Sequence, residues 1–147
     1  MAVLNVLVNR GVDQVWDVLS DGWTYADWVV GTQHILDVDA HWPEEGAQLS
    51  YEVGIGRFTI TDVTTVRHVE PGQRLELEAH AGKVGSARVS ISLLRWGEGR
   101  TVVVIDEHPL TGPGAWWHTV LTDAALRLRN QRMVRELARV VQERETP

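Results

Sequence analysis

The sequence predicts an α+β protein in which a curved antiparallel sheet of six or seven strands wraps around one long C-terminal helix. Three observations support this fold class. Strand-like segments separated by turn residues fill positions 32–108, short amphipathic segments follow the first strand, and helical spacing continues across positions 116–141. Strands joined by tight turns pair antiparallel, and a single long helix is available to cover the apolar face of their sheet.

The first part of the chain predicts one strand and two short helices. Residues 3–8 are apolar and rich in valine, as expected of a strand. Residues 12–19 carry apolar side chains at helical intervals and predict a short amphipathic helix. The aromatic segment from Trp23 to Trp28 predicts a second short helix or an ordered turn, which Gly31 ends.

The middle of the chain alternates strands with turns, most of them rich in glycine. The turns are predicted at positions 43–46, 54–56, 71–72, 82–85 and 97–99. The strands are predicted at positions 32–38, 47–53, 57–69, 74–81, 87–93 and 101–107. Two of these strands alternate apolar and polar residues clearly, which indicates a sheet with one dry face and one wet face. Positions 109–114 hold two prolines and two glycines and predict a structured loop before the last helix.

The composition limits the class of protein. At 147 residues the chain is expected to form one domain that spans positions 1–147. It has no cysteine, which excludes disulfides and thiolate metal ligands. No apolar run reaches the ~20 residues of a membrane span, and the N-terminus lacks the pattern of a signal peptide, so we expect a cytoplasmic protein. A net charge of −6 argues against general nucleic-acid binding.

Cofactor and metal motifs are missing from the sequence. The histidines show no metal-ligand spacing, so no metal is expected. Gly54-Ile55-Gly56 lacks the third glycine and the following helix of a dinucleotide site, so we expect no cofactor. The unusual feature is seven tryptophans against one phenylalanine. Tryptophan offers a large flat apolar surface with one N–H donor, which suits a core or a pocket for a ring-shaped ligand.

The predicted last helix carries a polar interruption on its apolar face. At intervals of four and three, this face consists of Trp116, Val120, Asp123, Arg127, Asn130, Val134, Leu137 and Val141. Both ends of the face are apolar and its middle is polar, which favours a helix that closes over a cavity. Alternatively, the apolar stripe moves sideways to Trp117, Leu121, Ala124 and Leu128, and the three polar residues face water. The remaining arginines of the helix, at positions 129, 132, 135 and 139, fall on the far side.

Glu107 ends the last predicted strand in step with Val103 and Ile105. If those two residues point inward, so does Glu107, and a buried carboxylate needs a partner, water or a proton. Arg127 is the expected partner. Three roles stay open for this pair: an ion pair that anchors the helix to the sheet, a polar floor that orients a ligand, and general acid/base catalysis.

Further candidates lie on the strands and beside them. Asp62 shares a face of the long strand with Phe58 and is expected inside, whereas His68 near the strand end is expected outside. His34 has either a structural or a ligand-binding role, and the aromatic residues either fill the core or form the wall of a pocket. The candidate ligand-binding residues are Trp28, His34, Tyr51, Phe58, Asp62, Glu107, Trp116, Trp117, Val120, Asp123, Arg127 and Asn130. Glu107, Arg127 and Asp62 are also the weak candidates for catalysis.

Several motifs carry a resemblance to a known superfamily. They are Val15-Trp16-Asp17-Val18-Leu19 with Asp21-Gly22-Trp23, Tyr25-Ala26-Asp27-Trp28-Val29-Val30-Gly31, the Trp42-Pro43…Gly46 turn, Asp106-Glu107 with Gly112-Pro113-Gly114, and Leu126-Arg127-Leu128-Arg129-Asn130. With the order of elements, they resemble the SRPBCC (START-like) superfamily over the whole chain, and within it a polyketide cyclase/dehydrase-like group of high-GC bacteria. The resemblance implies the helix-grip fold and a cavity for a hydrophobic molecule.

Two classes of function follow from these observations. The first is a non-catalytic binder or carrier of a hydrophobic small molecule, such as a lipid, a polyketide or another aromatic compound. The second is a polyketide aromatase/cyclase or dehydratase that uses acid/base groups in the cavity. A weaker third possibility is a partner-binding module of the Hsp90-activator type. The expected partner is thus a hydrophobic small molecule, with no nucleic acid and no membrane span, and the protein is expected to be a monomer or a homodimer.

Overall fold

The structure is a computed structural model that describes residues 2–29, 32–55, 58–80, 86–111 and 120–144. Within these ranges the side chains at positions 2, 54, 55, 58, 60, 109–111 and 120–130 are not described. Its elements are β1 (Ala2–Val8), α1 (Val12–Ser20), a 3-10 turn (Gly22–Thr24), α2 (Tyr25–Trp28), β2 (Thr32–Val38), β3 (Gln48–Ile55), β4 (Phe58–Glu70), β5 (Arg74–His80), β6 (Ser86–Arg95), β7 (Thr101–Thr111) and α3 (Val120–Glu143).

The strands form one curved antiparallel sheet in the order β1-β7-β6-β5-β4-β3-β2. Strands β2 to β7 follow each other as a meander, and β1 joins the sheet beside β7. The helix α3 packs against β1, α1 and α2. The predicted order of one strand, two short helices, a run of strands and a long helix is therefore confirmed, with seven strands.

Strand β3 extends further than the sequence predicts. The glycine pattern at positions 54–56 predicts a turn, whereas the structure continues β3 through Gly54 and Ile55, which pair with Thr59 and Phe58 of β4. Glycine is unfavourable within a strand but can be accommodated there when neighbouring residues continue the ladder. The prediction of a turn that begins at Gly54 is thus wrong.

Strand β7 also continues beyond its predicted end. Pro109 lies opposite Ala87 and Thr111 lies opposite Ser86, with an irregularity in the register between the two β6 residues. Proline has no backbone N–H to donate and is found at such irregular positions of a sheet. The predicted loop from position 109 therefore begins inside the strand, and its part at positions 112–114 lies outside the described residues.

The second half of α3 has the apolar face that its spacing predicts. Val134, Leu137 and Val141 are buried, and the arginines at 132, 135 and 139 are exposed. The first half is not tested, because the side chains of Val120, Asp123, Arg127 and Asn130 and all of Trp116 and Trp117 lie outside the described residues. None of the helices that the structure describes is long and apolar enough to cross a membrane.

The sheet has one inward face, which the helices cover, and one end of this covered face is a fully packed apolar core. Ile105, Ile91 and Leu75 lie side by side on β7, β6 and β5, and none is more than 1% exposed. Val103, the next inward-facing residue along β7, is also completely buried. Burial of large aliphatic side chains contributes about 1.5–3 kcal/mol each, so this end of the sheet holds the fold together.

Candidate functional site

The inward face of β4 is polar at its centre. Asp62, Thr64 and Val66 alternate along the strand and are all buried, so this face points away from solvent. The prediction that Asp62 lies inside agrees with this placement, and His68 keeps 45% of its side chain exposed. A buried carboxyl and a buried hydroxyl on one strand require hydrogen-bond partners, and these come from β3 and α2.

A hydrogen-bonded cluster, which we call the hydroxyl cluster, joins Tyr25, Tyr51, Asp62 and Thr64. The Tyr51 hydroxyl donates to Asp62 Oδ2 at 2.9 Å and is also 2.9 Å from Thr64 Oγ1. The Tyr25 hydroxyl lies 3.4 Å from the same Thr64 oxygen. Tyr51 and Asp62 are directly opposite each other in the register of β3 and β4, which explains how the two side chains meet.

Burial sets the protonation behaviour of the hydroxyl cluster. Burial raises the pKa of the Asp62 carboxyl above its usual value, while hydrogen bonds from Tyr51 and from the backbone N–H of Val63 oppose this shift. Burial also raises the pKa of Tyr51, and the nearby charges of Tyr25 and Asp62 add to the effect. Tyr51 therefore stays protonated, and Asp62 is a carboxyl group that holds its proton more strongly than an exposed aspartate.

Three aromatic rings, which we call the aromatic group, lie together here: Tyr25 and Tyr51 of the hydroxyl cluster, and Trp28. The ring of Tyr25 packs against Trp28, with a centroid distance of 5.3 Å, and against Tyr51, with a centroid distance of 5.1 Å. Both pairs are tilted, which suits the quadrupoles of the rings. The buried indole Nε1 of Trp28 finds no hydrogen-bond partner in the part of the chain that the structure describes.

Next to the hydroxyl cluster the covered face changes from large buried residues to small, partly accessible ones. Thr64 pairs with Ala79 of β5, and Ala79 pairs with Ala87 of β6. Both alanines face the same side as Leu77 and Ile91, yet they remain partly accessible, as does Val89. The described residues at this end of the face are therefore smaller and less buried than those at the other end. We call Ala79, Ala87 and Val89 the small-residue row; Thr64, which pairs with Ala79, is completely buried.

Glu107 borders the small-residue row. It is buried with Val103 and Ile105 on the inward face of β7, as the alternation predicts, and it pairs with Val89. It lies on β7, three strands away from Asp62 on β4, with β5 and β6 between them. The two buried carboxyl groups therefore belong to different parts of the covered face. The predicted pairing of Glu107 with Arg127 lies outside the described side chains and stays a prediction.

The other predicted site residues are placed as follows. Trp28 and Tyr51 lie in the aromatic group. His34 is exposed on β2 and pairs with Glu52, on the face opposite Tyr51, so it does not share a sheet face with the hydroxyl cluster. The side chain of Phe58 is not described, as for Trp116, Trp117, Val120, Asp123, Arg127 and Asn130. No cluster that could hold a metal ion occurs among the described residues.

Two members of the hydroxyl cluster, Thr64 and Tyr25, are not among the site residues that the sequence predicts. Thr64 has the same parity as Asp62 along β4, and this signal could have identified it. Tyr25 lies in the aromatic segment, but its proximity to Thr64 depends on how α2 packs on the sheet. Nothing in the local sequence fixes that packing.

No protein-family model and no curated protein matches this chain, but many solved structures do. DynU16, a protein of the dynemicin biosynthetic locus, is 26% identical with a TM-score of 0.69 over 97% of this chain and 47% of its own. This chain thus spans about half the length of DynU16.

Two further solved structures are similar over nearly their whole length. A START superfamily protein from Mycobacterium smegmatis is 14% identical with a TM-score of 0.77 over 97% of both chains. The Zhui aromatase/cyclase from Streptomyces sp. R1128 is 16% identical with a TM-score of 0.70, over 97% of this chain and 93% of its own. These similarities confirm the fold that the resemblance implies: the chain has the START-like helix-grip fold.

Proposed function

We propose that the protein binds a hydrophobic small molecule, a lipid, a polyketide or another aromatic compound, in a cavity between the curved sheet and α3. The observation that supports this most is the change along the covered face of the sheet. Ile105, Ile91 and Leu75 are fully buried, whereas Ala79 and Ala87 on the same face are small and partly accessible. A sheet that was packed everywhere by α3 would carry large buried residues throughout.

The aromatic group gives this space a wall that suits a flat ligand. Tyr25, Trp28 and Tyr51 are buried, and the hydroxyls of the two tyrosines belong to the hydroxyl cluster. Binding sites for small molecules are mostly apolar and contain a few polar groups that fix orientation. The hydroxyl cluster and Glu107 supply such polar groups, and the small-residue row supplies the apolar floor.

A polyketide aromatase/cyclase or dehydratase is the second candidate function. One observation favours it: the pKa of the buried Asp62 carboxyl is raised, and the Tyr51 hydroxyl donates to it. A carboxyl of this kind can donate or accept a proton at a carbon or oxygen of a bound polyketone chain. The similarity to an aromatase/cyclase in fold supports testing this chemistry but does not assign it.

Native mass spectrometry of the purified protein, with solvent extraction of the molecules that co-purify, tests the proposal. A bound lipid or aromatic compound at a ratio of one per chain is the expected result. An empty protein that turns over a synthetic poly-β-ketone, with turnover lost in Asp62→Asn, would favour the enzyme instead. A protein that is empty, binds no added hydrophobic probe and turns over no polyketone would refute both candidates.

A further inference from the structure

The direction of the hydrogen bonds in the hydroxyl cluster has a consequence for the ligand. Each hydroxyl carries one proton, and the Tyr51 proton points to Asp62 Oδ2 at 2.9 Å when Asp62 is ionised. The 2.9 Å contact between Tyr51 and Thr64 is then donated by Thr64. Because the Thr64 proton is used, the 3.4 Å contact between Thr64 and Tyr25 is donated by Tyr25. The chain of donors thus runs from Tyr25 through Thr64 and Tyr51 to Asp62.

With this direction of the hydrogen bonds, the carboxylate oxygens of Asp62 at the end of the cluster can still accept a hydrogen bond. Asp62 accepts from Tyr51 through Oδ2, from the Val63 backbone N–H through Oδ1 at 2.7 Å, and from the backbone of His80. An ionised carboxylate has about four acceptor positions, so capacity for a further donor remains. The protons of Tyr51 and Thr64 are both committed within the cluster, and neither hydroxyl can donate to a ligand without breaking a bond.

We infer that the pocket selects aromatic ligands that carry a free hydroxyl group, which donates its proton to the Asp62 end of the hydroxyl cluster. This inference rests on the proposed function, because it assumes that the space beside the small-residue row holds a ligand. Tyr25, Trp28 and Tyr51 favour a flat ring. The Nε1–H of Trp28, which has no partner among the described residues, can only donate a hydrogen bond, so it does not compete with a ligand hydroxyl for the Asp62 acceptor.

Two probes that differ only in the donor test the inference. 2-Naphthol has an O–H group, and 2-methoxynaphthalene has the same ring and the same oxygen without the proton. Isothermal titration at pH 8, which favours the ionised form of Asp62 more than a lower pH does, measures the affinity of the protein for each probe. We expect 2-naphthol to bind about tenfold more tightly or better, which is the effect of one hydrogen bond to a charged acceptor. Equal binding, or tighter binding of the methyl ether, would overturn the inference but not the proposed function.

Variants locate the acceptor. Asp62→Asn replaces one acceptor oxygen with an amide donor, so the preference for 2-naphthol should disappear. Asp37→Asn makes the same chemical change at an exposed position of β2 and is the matched control, with an unchanged preference. Near-ultraviolet circular dichroism checks that each variant is folded. If Asp62→Asn keeps the full preference, the hydroxyl is bound elsewhere and the inference is wrong.

Tyr51→Phe separates the two possible roles of the cluster. Removal of the Tyr51 hydroxyl frees Asp62 Oδ2, so the preference for 2-naphthol should be kept or increased. If Tyr51 were instead the group that bonds the ligand, the preference would fall. A wild-type protein that binds neither probe nor any other naphthalene derivative would contradict the proposed function together with the inference.

Discussion

Asp62 is the residue on which the chemistry of the candidate site depends. It is 7% exposed. The hydrogen bonds from the Tyr51 hydroxyl and from the backbones of Val63 and His80, together with the charge of His80, all stabilise the ionised form. Burial outweighs them, so the net effect on the pKa is a rise above the usual value of 3.8. The neutral and ionised forms are thus closer in free energy than in an exposed aspartate, which suits a group that exchanges hydrogen bonds with a ligand.

The raised pKa of Asp62 predicts a pH-dependent contribution to stability. The folded protein holds the Asp62 proton more strongly than the unfolded chain does. The stabilising effect is therefore complete below the unfolded pKa of about 3.9 and is lost as the pH rises through the folded pKa. Relative to Asp62→Asn, the wild-type free energy of unfolding should fall above about pH 4, by at most about 1.4 kcal/mol per pH unit.

Urea denaturation of both proteins between about pH 4 and about pH 8 measures this difference. Asp37→Asn makes the same chemical change at an exposed position of β2 and serves as the matched control. A difference between wild type and Asp62→Asn that stays flat, or that grows in favour of wild type as the pH rises, would contradict the account of Asp62.

The helix α3 divides into a half with a described structural role and a half with a predicted functional role. Its second half buries Val134, Leu137 and Val141, and the side chain of Leu137 is completely inaccessible. Its first half holds Asp123, Arg127 and Asn130, and the prediction that these residues face a cavity lies outside the described side chains. The size and burial of the inward-facing residues also change along the sheet, from the apolar core around Ile105 to the small-residue row.

Substitution of Leu137 should affect stability and spare ligand selectivity. Leu137→Ala leaves a cavity in the packed core and should lower the free energy of unfolding by about 2–5 kcal/mol. Arg135→Ala, at an exposed position on the same helix, should change it by no more than about 0.5 kcal/mol. Chemical denaturation gives both values. A Leu137→Ala protein as stable as Arg135→Ala would show that this half of α3 does not hold the core together.

At the scale of the whole molecule, the sequence predicted the fold because its signals are periodic. Alternation placed Leu75, Leu77 and Ile91 inside, and the same parity correctly placed Glu107 with Val103 and Ile105. The sequence does not predict the end of β3 correctly, because a glycine such as Gly54 is compatible both with a turn and with a strand that continues. The pairing of Gly54 with Thr59, which keeps it in the strand, cannot be seen in the local sequence.

The candidate site was only partly predictable. Tyr51 and Asp62 were selected separately, but their hydrogen bond depends on the register between β3 and β4, which the sequence does not fix. Thr64 could have been found from its parity with Asp62, whereas Tyr25 reaches it only through the packing of α2. His34 is a candidate because it follows the aromatic segment in the sequence, but on β2 it lies on the sheet face opposite Tyr51.

The central claim is that space for a ligand lies above the small-residue row, and filling that space tests it most directly. Ala79→Leu adds a large side chain on the inward face between Thr64 and Ala87. Ala47→Leu makes the same change at a completely buried position and should cost about 1–3 kcal/mol of stability through overpacking.

The decisive measurement is a fluorescence titration of wild type and Ala79→Leu with the neutral probe N-phenyl-1-naphthylamine, together with their free energies of unfolding. The account predicts that Ala79→Leu folds with nearly wild-type stability, because the new side chain enters empty space, and that it loses probe binding. A variant as destabilised as Ala47→Leu, or one that binds the probe as wild type does, would contradict the existence of the pocket at this place.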